Sequence, residues 1–551
     1  SSITMEPGSV ALASILRGIA AARPDAEHTV NGARRLTWSE SDRRTDQLAG
    51  VLAEAGLGCH TERADLPPHR SGQDHLGILT HNRLEYLESM IGALKARVAP
   101  FNINYRYGPA ELEQLLTLAS ASALVVQGAL AERIRPVIDR LPRLGLLLQI
   151  DDGSGADLLP GALDYEDALN RVDPTRGGLA DVTPSPDDLY LLFTGGSSGM
   201  PKGVMWRNGD AVTECFNGSR RANSIEDFVG AADTGLRSLP AAPFMHGAGH
   251  WSAMRALLGG GTVVIPEHDG RLDPHAVWST IDREQVNLML IVGDAFARPL
   301  IDAYDGGDHD GSSLNVLVTG GAALSAGVAR QILDRLPTVM IVDGFGSSEA
   351  GGQMTRVTTS GNPDTPGFKV NDRTFVLSED RQRHLHPGED EVGWLARSGR
   401  LPLGYLDDAE ATSATYPTVD GERLVVPGDR ARVLDDGTVH LLGRESSCIN
   451  TGGEKVFAQE VELAVVGVPA VVDCLVIGAP DERFGSVVTA IVELEPGHSI
   501  DLASLREALT GVIADYKLPR RLIVEDRVRR GPNGKADYGW ARQVADSAPN
   551  R

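Results

Sequence analysis

The sequence predicts an α/β protein in which a large N-terminal domain precedes a smaller α+β C-terminal domain. At 551 residues the chain is several times longer than one compact core usually supports, so at least two domains are expected. From about residue 120, short β-branched runs alternate with longer helical patterns, as where NVLVTGG is followed by AALSAGVARQILDRL. This βαβ rhythm predicts parallel sheet.

Three of the predicted strands end directly in glycine-rich loops. YLLF leads into TGGSSG, NVLV into TGGAA, and TVMIV into DGFGSSEAG. In open α/β sheets, ligands bind outside the carboxyl ends of the strands. We therefore expect the three loops to border one shared cleft.

A domain boundary is predicted where the composition changes near residues 430–445. DRARVLDDGTVHLLGRESS indicates a hairpin with an Asp-Gly turn and then a polar connector. The boundaries expected are 1–442 for the N-terminal domain, 443–446 for a hinge and 447–551 for the C-terminal domain. Predicted strands around DCLVIGAP and VVTAIVELEPG, with a helix around ASLREALTGVIADY, make the last part a small α+β unit.

The charge of the chain limits its partners. Its formal charge is −23, from 52 basic and 75 acidic residues, which repels nucleic acids and anionic membrane surfaces. A nucleic-acid role is therefore not expected. The same field repels ATP, so a nucleotide site needs local Lys or Arg side chains, a metal ion or helix N-termini.

Cysteine spacing and hydropathy indicate a cytoplasmic protein without a membrane span. The four cysteines lie far apart with no CxxC pair, which excludes a disulfide framework and a cysteine zinc cluster. The N-terminal residues lack the pattern of a secretion signal, because Arg17 interrupts the only apolar stretch. The apolar region 461–480 contains Glu462 and Asp473, and is predicted to form buried strand and turn.

The run from Thr194 to Lys202 follows an apolar strand and combines glycines, hydroxyls and one lysine, which suit a polyphosphate. A Walker loop is excluded because Lys202 stands between Pro201 and Gly203, where that loop needs Gly before Lys and Ser or Thr after it. A dinucleotide fingerprint is excluded because its nearest match, GFGSSE, ends in Glu349. A flexible linker is the remaining alternative.

The loop FTGGSSGMPKGV resembles the signature loop of the adenylate-forming superfamily, which comprises acyl-CoA synthetases, peptide-synthetase adenylation domains and luciferases. Further motifs occur in the family's order: VAPFNINYRY, PFMHGAGHW, TGGAALS, DGFGSSE, PGDRARV, GRESSCINTGGEKVFAQEVE and GPNGKADY. The resemblance covers nearly the whole chain. It implies an N-terminal domain of packed α/β subdomains with a β-barrel-like piece, and a small mobile C-terminal domain.

The resemblance also implies how ATP and Mg²⁺ are bound. Phe345 would stack on adenine, Asp343 would receive its amino group, Asp429 would bind the ribose hydroxyls, and Glu349 would address Mg²⁺. Taken alone, Glu349 is typical of a helix N-terminus and Asp429 of a turn. The full set of expected ATP-binding residues is Thr194, Gly195, Gly196, Ser197, Ser198, Gly199, Lys202, Gly321, Ala322, Ala323, Asp343, Gly344, Phe345, Gly346, Ser348, Asp429 and Arg444.

Two residues are the expected catalytic groups. Joining a carboxylate to the α-phosphate brings like charges together, so catalysis depends on positioning and electrostatics. Lys535 resembles the lysine that reaches into the cleft and bridges the reacting groups, although PNGK is also an ordinary turn. His246 matches the gate where the carboxylate meets the acyl pocket, although a lone histidine there is typical of a satisfied core residue.

A second half-reaction with a thiol is implied by GGEKVF. Gly452, Gly453 and Lys455 resemble the wall of the tunnel that admits the pantetheine arm of coenzyme A, with a plain turn as the alternative. The hinge position, commonly Asp or Lys in the family, is Ser446 here. A hinge needs only to absorb backbone change, so rotation of the small domain is still expected.

The expected acid is hydrophobic. No Asp stands at the start of the pocket to pair with a substrate amine, and the combined motifs are most similar to actinobacterial ligases for fatty, steroid-side-chain and other bulky acids, including polycyclic terpenoids. A CoA ligase is the main interpretation; loading of a carrier protein and luciferase-like oxygenation are the alternatives. The sequence leaves the oligomeric state open. The expected acyl-pocket residues are Met245, Trp251, Met254, Val292, Phe296 and Gly320.

Overall fold

A computed structural model of the protein describes residues 8–173, 181–194, 201–218, 221–233, 235–267, 270–452 and 454–548. These residues form a seven-stranded and a nine-stranded sheet, a four-stranded antiparallel sheet, and a C-terminal three-stranded sheet with small hairpins. The predicted α/β class with a smaller α+β end is confirmed.

The first part of the chain builds the seven-stranded sheet and contributes its first two strands to the nine-stranded sheet. Its strands are β1 (Glu27–Asn31), β2 (Arg34–Thr37), β3 (His75–Leu79), β4 (Ala99–Asn102), β5 (Ala121–Gln127), β6 (Leu146–Ile150), β7 (Leu163–Asp164), β8 (Leu189–Thr194) and β9 (Lys202–Arg207). Its helices are α1 (Leu12–Ala22), α2 (Trp38–Glu54), α3 (Leu84–Lys95), α4 (Pro109–Leu118), α5 (Ala131–Ile134) and α6 (Tyr165–Asn170). The strand order is β7-β6-β5-β3-β4-β8-β9, parallel except for β8 with β9.

The second part builds the nine-stranded sheet. Its strands are β10 (Arg237–Pro240), β11 (Thr262–Ile265), β12 (Leu288–Ile291), β13 (Val316–Gly320), β14 (Met340–Ser347), β15 (Gly351–Thr358) and β16 (Lys369–Val370). Its helices are α7 (Asn208–Glu214), α8 (Ile225–Ala231), α9 (Gly247–Leu258), α10 (Pro274–Glu284), α11 (Gly293–Gly306) and α12 (Ala326–Arg335). With β1 and β2 at one edge, the order is β16-β15-β14-β13-β12-β10-β11-β1-β2, and the strands from β14 to β1 are parallel.

A four-stranded antiparallel sheet follows, where a β-barrel-like piece is expected. Its order is β17-β18-β21-β22, and a separate hairpin pairs β19 with β20. The predicted Asp-Gly turn joins β21 to β22. The elements are β17 (Thr374–Leu377), β18 (Gly393–Arg397), α13 (Ala409–Thr415), β19 (Thr418–Val419), β20 (Glu422–Arg423), β21 (Asp429–Val433) and β22 (Val439–Arg444).

The C-terminal part is a small α+β unit with its own core. Antiparallel β25 and β26 carry parallel β27, and α14 packs against β25. Buried Cys474 and Val492 from the sheet meet Val461 and Leu505 from the helices. The elements are β23 (Cys448–Thr451), β24 (Glu454–Phe457), α14 (Ala458–Val466), β25 (Val471–Asp481), β26 (Gly485–Leu494), α15 (Leu502–Leu509), β27 (Arg521–Glu525) and α16 (Tyr538–Ser547).

Three local predictions differ from the structure. The start of the apolar region 461–480 is helix and not strand, because a short apolar run does not separate a buried helix from a buried strand. α15 ends at Leu509, several residues before the predicted end, and Gly511 follows in a left-handed conformation. DGFGSSE continues as strand through Ser347, because antiparallel pairing with β15 extends β14.

Neither a membrane span nor a disulfide occurs in the parts of the chain that the structure describes. No helix there is long and apolar enough to cross a bilayer. All four cysteines are free, with Cys215 and Cys474 buried.

A buried ion pair joins three parts of the N-terminal domain. Arg397, at the end of β18, donates to the carboxylate of Glu214, the last residue of α7, and to the carbonyl of Ala350. The two charged side chains are 0% and 1% exposed. Removing one partner of such a pair leaves the other charge buried without compensation, which typically costs about 3–5 kcal/mol.

We expect Arg397→Ala to lower the free energy of unfolding of the N-terminal domain by about 3–5 kcal/mol, measured by equilibrium denaturation in urea. Arg330→Ala is the matched control, because the exposed side chain of Arg330 pairs with exposed Asp364, and its loss should stay below about 1 kcal/mol. The double variant Arg397→Met, Glu214→Met should lose less than Arg397→Ala. Equal losses for the Arg397 and Arg330 variants would contradict this account of the pair.

Candidate active site

One cleft of about 2080 Å³ lies at the carboxyl ends of strands from both large sheets. The ends of β8, β13 and β14 all reach it, through Thr194, Gly320 and Ser347. The parallel pairing of β13 with β14 places Thr319 beside Asp343 and Gly320 beside Gly344. The segments after β13 and within β14 therefore border one cleft as predicted, whereas of the first glycine-rich segment only Thr194 lies within the described residues.

The part of the cleft beside β13 and β14 carries one paired acid, Asp343. Gly321 follows β13 with a φ of +82°, a conformation that favours glycine. Asp343 accepts a hydrogen bond from Nη2 of Arg356 at 2.6 Å, and burial raises its pKa to about 6 despite this arginine. Phe345 contacts the ring of Phe368 edge-on at 6.4 Å. Ala322, Ala323, Gly344, Gly346 and Ser348 also line the cleft.

Asp429 brings an unpartnered carboxylate oxygen into the cleft. The residue is 3% exposed, and its Oδ2 has no hydrogen-bond partner among the described residues. Nε of Arg444 lies 3.4 Å from the other oxygen, Oδ1. Burial raises the pKa of Asp429 against the opposing effect of Arg444. A buried acceptor without a donor fits a ligand that supplies hydroxyl groups.

Lys535 enters the cleft from the C-terminal part of the chain. Its backbone N–H donates to Oδ1 of Asn533 at 3.1 Å, and its carbonyl accepts from Gly531 at 2.8 Å, which closes a tight turn. Gly534 allows this turn to lie against β12, because a Cβ there would stand 3.0 Å from Cγ1 of Val292. This close approach places Lys535, the next residue, beside the nine-stranded sheet.

The ammonium group of Lys535 lies in a charged setting. Desolvation by the surrounding protein and the charge of Arg444 lower its pKa, against the effects of Glu349 and Asp429. The side chain nevertheless keeps accessible surface, which faces the cleft. Lys535, Lys202 and Arg444 give this part of an otherwise acidic protein the local positive charge that a nucleotide needs.

Glu349 is held at the cleft by two tyrosines. The hydroxyl of Tyr405 donates to its Oε1 at 3.0 Å, and that of Tyr416 donates to its backbone carbonyl at 3.1 Å. Nζ of Lys202 lies 5.2 Å from the ring centre of Tyr405. The described residues contain no cluster of three or more His, Cys, Asp or Glu side chains that could hold a metal. A single carboxylate fits Mg²⁺ bound mainly through phosphates and water.

His246 differs from its neighbour His250. His250 is a satisfied core residue, since its Nδ1 donates to the carbonyl of Phe244 at 2.7 Å and its Nε2 contacts the hydroxyl of Tyr190. His246 lines the cleft, and its buried Nε2 has no partner among the described residues. Burial lowers its pKa to about 3, with Lys535 adding to the effect. A neutral imidazole therefore faces the cleft near neutral pH.

Four of the six residues predicted for the acyl pocket line the cleft, and the other two lie on helix faces turned away from it. Met245, Trp251, Val292 and Gly320 line the cleft. Met254 and Phe296 do not, because each is buried in a hydrophobic core on another face of α9 or α11. On α9 the cleft-lining side chains include Trp251, Ser252, Arg255 and Ala256, which share one face at helical spacing.

The predicted hinge and tunnel residues and the glycine-rich loop differ in their relation to the cleft. Ser446 lines the cleft within a short 3-10 turn, Glu445–Ser447. Gly452 sits at the turn between β23 and β24, and Lys455 pairs with Oε1 of Glu445 at 2.9 Å. Neither of these two lines the cleft. Gly195, Gly196, Ser197, Ser198, Gly199 and Gly453 lie outside the described residues.

Several supporting residues were not predicted. Asn102 donates through Nδ2 to the carbonyls of Phe193 and Met245, at 3.0 and 2.7 Å, and so ties the end of β8 to the segment before α9. Trp206 donates to the carbonyl of Ser348 at 2.8 Å. Arg356 stands opposite Asp343 in the β14–β15 register, a cross-strand charge pair that recognition of that hairpin would have predicted.

Comparison with protein families identifies the chain. The model of the AMP-binding enzyme matches residues 16–400, more than half of the chain, and that of the AMP-binding enzyme C-terminal domain matches residues 460–535. The chain belongs to the AMP-binding enzyme family. The resemblance of its motifs to the adenylate-forming superfamily is thereby confirmed.

Relatives of this AMP-binding enzyme match over almost their whole length. A medium-chain acyl-CoA ligase, Mig, of Mycobacterium avium is 45% identical over 541 residues, covering 97% of this chain and 98% of the relative. A medium/long-chain-fatty-acid–CoA/3-oxocholest-4-en-26-oate–CoA ligase of Mycolicibacterium smegmatis is 37% identical, covering 96% and 95%. The crystal structure of the anthranilate CoA ligase AuaEII with anthranoyl-AMP shares the fold, with a TM-score of 0.81, 22% identity and 98% of each chain covered.

Because the pKa of His246 in this AMP-binding enzyme is about 3, below the ordinary value near 6.5, the unfolded chain binds a proton first as the pH falls. The stability that the neutral ring contributes is present above about pH 6.5 and is lost as the pH falls below it. We expect His246→Gln to remove about 2 kcal/mol of the loss between about pH 6.5 and pH 5. Urea denaturation at both pH values measures it.

His386→Gln is the control for this experiment, because His386 is exposed. Its stability should follow that of the wild type at both pH values. An His246→Gln variant that loses as much stability on acidification as the wild type would show that the ring is not buried in its neutral form.

Proposed function

We propose that the protein is an acid–thiol ligase that adenylates a hydrophobic carboxylic acid with ATP and then transfers the acyl group to coenzyme A. The observation that carries this proposal is the meeting of Lys535 with Asp429 and Glu349 in one cleft beside neutral His246. Family membership, and the acyl-CoA ligase relatives named above, support the same reaction.

The charge distribution of the cleft suits ATP. The unpartnered Oδ2 of Asp429 is available to the ribose hydroxyls, and Asp343 with Phe345 to adenine. Thr194 and Lys202 flank the glycine- and serine-rich loop that we assign to the β- and γ-phosphates. Mg²⁺, held through Glu349 and the phosphates, would neutralise part of the phosphate charge.

The first step forms a bond between a carboxylate oxygen and the α-phosphorus, and it breaks the bond from that phosphorus to pyrophosphate. The carboxylate reacts in its ionised form, so no proton has to be removed from it. The barrier is mainly the repulsion between anions, and the ammonium group of Lys535 offsets it. His246, being neutral, can donate a hydrogen bond to an anionic oxygen without needing an acidic medium.

The second step requires a different arrangement of the small domain. The thiol of coenzyme A loses its proton to solvent and its sulfur bonds to the acyl carbon, while the bond from that carbon to the phosphate oxygen breaks and AMP leaves. Gly452, Gly453 and Lys455, which we assign to the coenzyme A tunnel, belong to the part of the chain that follows the 443–446 hinge, and Gly452 and Lys455 do not line the cleft. We infer that residues 447–551 rotate about Ser446 relative to 1–442, which withdraws Lys535 and presents the tunnel.

The acid is inferred to be a medium- or long-chain fatty acid or a fused-ring acid of similar length. Leu290, Val292 and Trp251 give the pocket apolar walls, and Met245 and Gly320 close it near the reacting end. The names of the two bacterial relatives, which include fatty and steroid acids, favour this class.

We expect Lys535→Ala to reduce acid-dependent ATP–pyrophosphate exchange by about 100- to 1000-fold, because one preorganised donor to the transition state is lost. The variant should still convert supplied acyl-adenylate and coenzyme A to thioester. The reciprocal variant is Lys455→Ala, which should keep the exchange reaction and slow thioester formation. Unimpaired exchange in Lys535→Ala would contradict the proposed catalytic role.

The acceptor is tested by mixing the wild type with ATP, dodecanoate and either coenzyme A or a carrier protein bearing pantetheine. We expect thioester only with coenzyme A, measured by mass spectrometry. Carrier-bound product alone would replace the ligase proposal with carrier loading, which shares the first step. Oxygen uptake or light emission that requires the acyl-adenylate would instead favour a luciferase-like oxygenase.

A further inference from the structure

The acyl part of the cleft has a floor made by one face of the nine-stranded sheet. Side chains alternate along a strand, so every second residue faces the same side. On β12, Leu288 and Leu290 line the cleft, whereas Met289 and Ile291 are buried in the core on the opposite face. On β10, Ser238 shares the cleft-lining face, since it pairs with Leu288.

The cleft runs from the reacting end toward the amino ends of these strands. Leu288 comes four residues before Val292, which corresponds to about 13 Å along an extended strand. Ser238 lies beside Leu288, with which it pairs. α9 forms the opposite wall and runs in the reverse direction after β10, so Arg255 lies about 14 Å along the helix axis from His246. The segment after α9 returns to the start of β10, where Gly261 packs against Leu236. Ser238 and Arg255 therefore lie at the same remote end.

These two residues are polar groups without partners in an apolar part of the cleft. Ser238 is 1% exposed, and its hydroxyl makes no hydrogen bond with the described residues. The side chain of Arg255 likewise forms no hydrogen bond or ion pair with any residue that the structure describes. Around them the walls are apolar, with Leu236, Ala256 and Leu288.

The environment of Arg255 argues against an ordinary surface arginine. Its side chain is exposed and lines the cleft, and the protein around it desolvates the guanidinium group enough to lower its pKa, with no carboxylate acting against this effect. The exposure of the side chain and the desolvation of its guanidinium group are compatible because the exposed surface of Arg255 faces the cleft. A position in the last turn of α9 gives Arg255 a favourable interaction with the helix dipole, but this requires neither a cleft position nor Ser238 nearby.

We propose that the acid carries a second hydrogen-bond-accepting oxygen, a ketone or carboxylate, at the end remote from the reacting carboxylate, and that Arg255 and Ser238 bind it. This rests on the proposed acid activation and adds a specificity determinant to it. An oxygen acceptor about 13 Å from the reacting end provides a partner for the buried hydroxyl of Ser238 and a charge-assisted hydrogen bond from Arg255. An acid that ends in a methyl group provides neither.

The test compares three acids of one chain length in ATP–pyrophosphate exchange: dodecanoate, dodecanedioate and the terminal methyl ketone. With the wild type, kcat/KM should be higher for at least one of the two oxygenated acids than for dodecanoate. In Arg255→Met this preference should fall by about 10- to 100-fold, the usual effect of one hydrogen bond to a charged group. Ser238→Ala should reduce it by less, and exposed Arg330→Met is the matched control.

The outcomes separate specificity, structure and the proposed function. A fall of the same size for all three acids would assign Arg255 a structural role and overturn the proposal, as would an unchanged preference in a variant that still activates dodecanoate. A preference for the dicarboxylate identifies a terminal carboxylate as the acceptor, and one for the ketone identifies a neutral carbonyl. If the wild type activates no acid at all, the proposed function fails together with this inference.

Discussion

The ion pair between Arg397 and Glu214 is the interaction on which the arrangement of the N-terminal domain depends. Glu214 ends the helix that follows the seven-stranded sheet, Arg397 ends a strand of the antiparallel sheet, and the carbonyl of Ala350 belongs to the turn after β14. The three sheets therefore meet at one guanidinium group. Burying two charges is costly, so the geometry is stable only when all three partners are in place. The hydrogen bond from Arg397 to the carbonyl of Ala350 therefore also fixes the backbone next to Glu349.

The cleft opposes the charge of the protein as a whole. The chain carries a formal charge of −23, yet the cleft gathers cations around two carboxylates that lie near them. Each carboxylate has a distinct surrounding: Glu349 accepts a hydrogen bond from Tyr405, whereas Asp429 has one oxygen without a partner among the described residues. His246 adds a neutral imidazole to these charged groups. The cations, the carboxylate acceptors and this imidazole come from different elements of the fold.

The sequence predicted those features that depend on local pattern. Strands followed by glycines indicated the parallel sheets and the shared cleft, because strand direction and loop position are encoded within a few residues. Features set by distant pairing were harder to predict. β14 continues through its glycines because β15 pairs with it, and Met254 faces the core because of the way α9 lies on the sheet. Motifs that resemble those of the family suggested Lys535, Glu349 and Asp429 separately, but only the fold shows that the two carboxylates act on the ammonium group of Lys535.

The contact between Gly534 and Val292 has a thermodynamic consequence. Val292 lines the acyl part of the cleft on one side and touches the turn that carries Lys535 on the other. If residues 447–551 rotate as proposed, any acid whose packing against Val292 depends on the presence of this turn shifts the docking equilibrium of that domain. By reciprocity, docking then changes the affinity for that acid by the same factor. A single valine thus gives the pocket and the domain movement a common free-energy term, so that acid recognition and catalytic readiness are one linked equilibrium.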